Sequence, residues 1–168
     1  MSTPMEQAVE VLCQYLQQQE LPACTAWPVG SRPELEAPVI AVSLRGCETT
    51  QAGFSGYLGQ RLNPDTQVWE ERYGKTVTLT FGLDLYAAPG TDPAALEQVW
   101  ATLAQACLPP GPKGLTVGAF SCGETEYSQQ TRLLKRPAQL VCTALLVSSS
   151  TQEQGEFLDF EIRGERTL

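Results

Sequence analysis

Six cysteines, at positions 13, 24, 47, 107, 122 and 142, and 19 acidic side chains are the groups in this 168-residue chain most able to carry chemistry. Histidine is absent. That removes serine or cysteine nucleophiles paired with His, and with them the commonest zinc ligand. No two cysteines stand at C-x-x-C spacing, so zinc-ribbon and thioredoxin-like arrangements are excluded as well. Cys122-Gly123-Glu124 sets a thiol beside a carboxylate, which raises a thiol pKa instead of activating it. Glu70-Glu71, Glu124 with Glu126, and Asp159 with Glu161 are paired acids, an arrangement found more often on solvated strand faces than in acid–base catalysis. Gly53, Gly56 and Gly59 are spaced by three and precede no helix signal, unlike a phosphate-binding loop. The expectation is a chain with no catalytic residues, no metal site and no cofactor. The wide cysteine spacing, with no secretory signal at Met1–Glu10, predicts reduced and buried thiols, with a structural disulfide as the alternative.

The bulk numbers limit the partners. An apolar fraction of 42% with 18% charged residues is that of a globular domain, and 168 residues suffice for one core. A net charge of -8 repels phosphate backbones, so specific nucleic-acid binding is not expected. No run of 18 apolar residues is present, which predicts no membrane span and a cytosolic chain. Arg132, Lys135 and Arg136 form the one local concentration of positive charge.

The stretch Thr76–Ala87 organises the elements. Val77, Leu79, Phe81, Leu83, Leu85 and Ala87 alternate with Thr78, Thr80, Asp84 and Tyr86, the period of a half-buried strand long enough for one end to project toward a partner. Thr3-Pro4-Met5-Glu6 reads as a capping box opening a helix from Pro4 to about Gln19. Pro38 introduces Val39–Leu44, an apolar run read as a strand buried on both faces and closed by Gly46. Asp92-Pro93 starts a second helix, which Leu108-Pro109-Pro110 ends. Leu115–Tyr127, bent at Gly118 and Gly123, and Gln139–Ser148 read as two further strands, and Phe157–Ile162 as a terminal strand or arm. The fold class expected is α+β, one domain with a mainly antiparallel or mixed sheet packed by two helices. Residues 1–150 form its body and 151–168 a C-terminal strand or arm.

Between Cys47 and Asp65 the periodicity is lost, and the stretch reads as a long glycine-rich loop holding Phe54, Tyr57 and Leu58. Val68–Tyr73 either extends the long strand backwards or pairs with it. The aromatics of this region either fold back on their own core or anchor a neighbouring subunit. On the second reading Phe54, Tyr57, Leu58, Trp69 and Tyr73 are interface residues.

Taken in order, the leading helix, the strand Ala37-Pro38-Val39-Ile40-Ala41-Val42-Ser43, the long strand ending in FGLDLYA, the capped helix from Pro93 and the closing pair Leu115–Tyr127 and Gln139–Val147 resemble the tail-terminator and tail-completion proteins of tailed bacteriophages. The resemblance covers most of the first 148 residues and lies in element order, with no catalytic signature. It implies a homo-oligomeric ring, commonly of six subunits, that caps the tail tube and meets the head connector. Such a protein is made in the bacterial host cytoplasm and ends in the virion tail. Other tail, neck or baseplate components share this texture. The residues alone also admit a small-molecule-binding α+β domain with Cys47–Asp65 as a lid, or an enzyme that uses acids to hold a metal.

Overall fold

A computed structural model describes residues 2–25, 35, 37–51, 56–151 and 157–163, with Thr151 and the last segment given by the backbone alone. In chain order the elements are α1 (Pro4–Gln18), β1 (Ala23–Cys24), β2 (Val39–Gln51), β3 (Tyr57–Leu62), β4 (Trp69–Ala87), α2 (Pro93–Ala106), β5 (Thr116–Cys122), β6 (Glu126–Ser128), β7 (Leu133–Arg136), β8 (Ala138–Thr151) and β9 (Phe157–Arg163).

Both helices begin as their residues require. The Thr3 hydroxyl accepts from the Glu6 amide while the Glu6 carboxylate accepts from the Thr3 amide at 2.6 Å, a closed capping box worth about 1 kcal/mol. Asp92 caps α2 by accepting from the Ala94 amide at 3.0 Å, with Pro93 in the first turn.

Among the described residues nine strands join one mixed sheet centred on β4. On one side of β4 lie β2, along Lys75–Tyr86, and β3, along Trp69–Tyr73. On the other side lie β8, along Glu70–Gly82, and β7, at Leu85–Ala87. β8 in turn carries β5 at one end and β9 at the other, so the C-terminal segment is a strand of the same sheet. β1 and β2 run parallel and every other pair is antiparallel. The architecture is α+β in one domain, as expected.

The core occupies one face. Ile40, Val42, Leu79, Phe81, Leu83, Leu140 and Cys142 are buried beneath Leu12 and Leu16 of α1 and Leu96 and Leu103 of α2. The Tyr15 hydroxyl donates to the Ala106 carbonyl at 2.9 Å, joining the helices into one layer. Because that layer covers a single face, Val39–Leu44 is not buried on both sides. Ile40 and Val42 are buried while Ser43 is exposed.

Three sequence readings need correction. Gly46 does not close β2, because a bulge at Arg45 absorbs one residue and pairing with β4 resumes as far as Gln51. Cys47–Asp65 is not one long loop, since the end of β2 and the whole of β3 lie within it. Among the described residues no helix lies over these strands, so neither face is held to an apolar period in the sequence. The thiols are also not uniformly buried. All six are free, with Cys13, Cys107 and Cys142 buried, Cys24 half-buried, and Cys47 and Cys122 on the surface.

Candidate functional site

The helices are too short to cover the sheet. β4 has 19 residues and runs roughly 60 Å at about 3.3 Å per residue. The 15 residues of α1 and 14 of α2 each reach only about 20 Å. Val77, Leu79 and Phe81 are buried under the helices, but Trp69, Tyr73 and Lys75, on the same face of the same strand, are exposed. Residues 69–75 of β4, with β3 and the end of β8, therefore make a ribbon whose core-side face no element among the described residues covers. Of Val68–Tyr73, Trp69–Tyr73 extends the long strand backwards, the first of the two predicted roles, while Val68 precedes the strand.

Aromatic side chains gather on that uncovered face. Register pairing places Tyr57 opposite Tyr73 and Leu62 opposite Trp69, and directly opposed residues face the same way. The Tyr57 and Tyr73 rings meet edge to face with centroids 5.5 Å apart. Trp69 is 58% exposed, Tyr57 43% and Tyr73 40%, values that leave large apolar rings in water. The Tyr73 hydroxyl donates to Glu71 at 3.0 Å, and this bond raises its pKa above the ordinary tyrosine value.

Of the five residues predicted at an interface, Tyr57, Trp69 and Tyr73 share this face. Leu58 does not. It is the extra residue at a β3 bulge and lies across Gly74 on the opposite face, where a Cβ at position 74 would approach its Cγ to 3.2 Å. Phe54 falls outside the described residues. The sequence reading missed Leu62 and Val68, both exposed beside Trp69. For Val68 the available signal was its position beside Trp69 in a polar segment, whereas Leu62 meets Trp69 only through strand pairing.

A second cluster, on the helix-free face, was also missed. Asp84 is 8% exposed and accepts two hydrogen bonds from Arg45 Nη2, at 2.7 and 2.6 Å, with Lys135 Nζ 3.7 Å away. Arg45 reaches Asp84 because residue 82 is glycine. A Cβ there would collide with Arg45 Nε and stand 2.7 Å from its Cζ. Gly82→Ala is expected to displace the guanidinium and lower stability by about 1–3 kcal/mol, because it strips a buried carboxylate of its main partner. Urea unfolding of the variant beside Arg45→Ala checks this, since the two should lose similar amounts.

The predicted concentration of positive charge is divided between the two faces. Lys135 is the register partner of Tyr86 and joins the Asp84 cluster. Arg136, on the other face, pairs with Glu97 at 2.8 Å and lies 4.4 Å from the Trp100 ring centroid. No protein-family model matches the chain, and no curated protein matches it in sequence. Among the described residues no three His, Cys, Asp or Glu side chains converge to hold a metal, and no helix is long and apolar enough to cross a membrane. Two grooves of about 380 and 390 Å³ beside α1 share Glu10 and Thr25, and Cys13 and Cys24 line the first of them. Burial raises both thiols above their ordinary pKa, the reverse of activation.

Proposed function

We propose that this chain is a self-associating structural component of a bacteriophage tail, a ring-forming protein that caps the tail tube and joins it to the head connector. The observation that carries the self-association is the uncovered end of β4, where Tyr57, Trp69 and Tyr73 stand in solvent on the face that elsewhere forms the core. A monomer gains nothing from aromatic rings placed there, and an assembly gains their burial. The assignment to a phage tail rests on the element order described above. The net charge of -8 suits a particle through which DNA passes without adhering. A lid-gated binding domain draws no support, because much of the proposed lid, from Cys47 to Gln51 and from Tyr57 to Leu62, is strand paired with β4.

Two measurements test the two halves of the reading. Light scattering should find the purified chain associated, and Tyr57→Ser with Tyr73→Ser should shift it toward smaller species while leaving its thermal unfolding nearly unchanged. An oligomer indifferent to both substitutions would remove the ribbon from the interface. Co-expression with a tail-tube protein should yield tubes of bounded length with this chain at one end, as seen by negative-stain microscopy. Tubes that grow on unchecked in its presence would sink the tail assignment.

A further inference from the structure

We infer that the uncovered ribbon face is self-complementary: its occupant is the same face of a second copy, related by a two-fold axis that crosses β4 beside Tyr73. The inference rests on the self-association reading above and specifies the symmetry of one contact. Three observations point the same way.

The first is the distribution of exposed apolar side chains. Among the described residues Tyr57, Leu62, Val68, Trp69 and Tyr73 belong to the ribbon or its turn, whereas Val11, Leu108 and Tyr127 stand on α1, just after α2 and on β6. Among the described residues no second apolar group of similar size stands ready to receive the ribbon head to tail. Two ribbons set face to face bury ring against ring.

The second is the order of charges. Trp69, Glu71, Tyr73 and Lys75 share the face, with Glu71 and Lys75 placed symmetrically about Tyr73. A two-fold axis parallel to the sheet and across the strands reverses one β4 against the other. Tyr73 then meets Tyr73 of the second copy, and each Glu71 meets a Lys75.

The third is the step in the layers. Helices cover β4 from Val77 onward, and the uncovered span Trp69–Lys75 has its midpoint one residue from Tyr73. Stacked sheets lie about 10 Å apart and a helix is about 10 Å across, so each ribbon fills the layer that the helices occupy farther along its partner. The same axis satisfies both the charge order and the steric step.

Three strands of about seven residues offer roughly 330 Å² of plan area per copy, which places the contact among small, concentration-dependent interfaces. Being two-fold, it closes on itself and cannot repeat around a ring. It would join two subunits before assembly or across two rings, and a ring needs a different surface for its neighbours.

Charge reversal tests this. Native mass spectrometry across a dilution series should show wild-type protein as a two-chain species. Glu71→Lys or Lys75→Glu alone should each raise the dissociation constant by about tenfold or more, since like charges then face each other. Mixing the two variants should restore a two-chain species with one copy of each. Circular dichroism confirms that both single variants remain folded, and Tyr73→Ala supplies a charge-neutral disruption of the same contact. If the wild type associates and the charge variants associate equally well, self-association stands and the axis beside Tyr73 falls. If the mixture restores only larger rings, the contact is head to tail and the inference is overturned. A wild-type chain that stays monomeric at every concentration overturns both this inference and the self-association reading.

Discussion

Phe81→Ala is expected to lower the unfolding free energy by about 3–5 kcal/mol, whereas Tyr73→Ala, eight residues earlier on the same face of the same strand, should lower it by less than about 1. The contrast follows from what lies over each ring. Phe81 is fully buried between Leu44 on β2 and Leu140 on β8, its register partners, beneath the helical layer. Truncation there loses the transfer free energy of the ring and leaves a cavity that rigid neighbours cannot fill. Tyr73 touches Tyr57 and Glu71 but has no layer above it, so its removal forfeits one edge-to-face contact and one exposed hydrogen bond. Both residues keep the β4 backbone paired on two sides, so ladder hydrogen bonds do not separate them. Denaturant unfolding of the two variants at low protein concentration, where association does not contribute, measures the difference. Equal losses would mean that the ribbon is as tightly packed as the core, and the uncovered-face argument would fail with it.

The same contrast explains what could be read in advance. Alternation at Thr76–Ala87 was legible because α1 and α2 select apolar residues on one face only. Below Thr76 no layer selects anything, so Trp69–Lys75 and β3 look irregular although their backbones are as regular as the rest. The caps at Thr3 and Asp92 were visible because capping is local, decided within three residues. The Arg45–Asp84 pair was not, because its members stand 39 residues apart and meet only through a bulge on one strand and a glycine on its neighbour. A lone Asp inside the apolar run FGLDLYA was nonetheless a hint, since a buried carboxylate requires a cation. Lys135 and Arg136 show the opposite error. Adjacent in sequence, they read as one basic patch, yet neighbours on a strand face opposite ways and the two serve different sides of the sheet. Three of the five predicted interface residues converge on one face because Tyr57, Trp69 and Tyr73 occupy opposed or alternate positions, while the bulge turns Leu58 away.

Stability should fall steeply above pH 9, and the cause is a pair of core thiols. Cys142, on the sheet, is fully buried, and Cys107, at the end of α2, is 4% exposed. Burial pushes each from an ordinary value of 9.0 up to about 12, and the proximity of Cys107 adds to the shift at Cys142. Desolvation opposes the thiolate in the folded chain, whereas the unfolded chain ionises freely. For an acid whose folded pKa lies above its unfolded value, the associated stability is fully present below pH 9. It is lost as pH rises toward 12, because only the unfolded state releases its proton. By pH 11 the loss should reach about 2 kcal/mol per thiol. Tyr15, raised by burial and bonded to the Ala106 carbonyl, contributes in the same direction above pH 10. Urea unfolding at pH 7, 9, 10 and 11 should therefore trace a decline that is shallow to pH 9 and steep beyond it. Replacing both cysteines by alanine separates this cause from general alkaline repulsion in an acidic protein. The double variant should be less stable at pH 7, because two buried side chains are shortened, yet lose about 4 kcal/mol less than the wild type between pH 9 and 11. Parallel pH profiles for the two proteins would assign the alkaline loss to net charge and leave the buried thiols without a part in it.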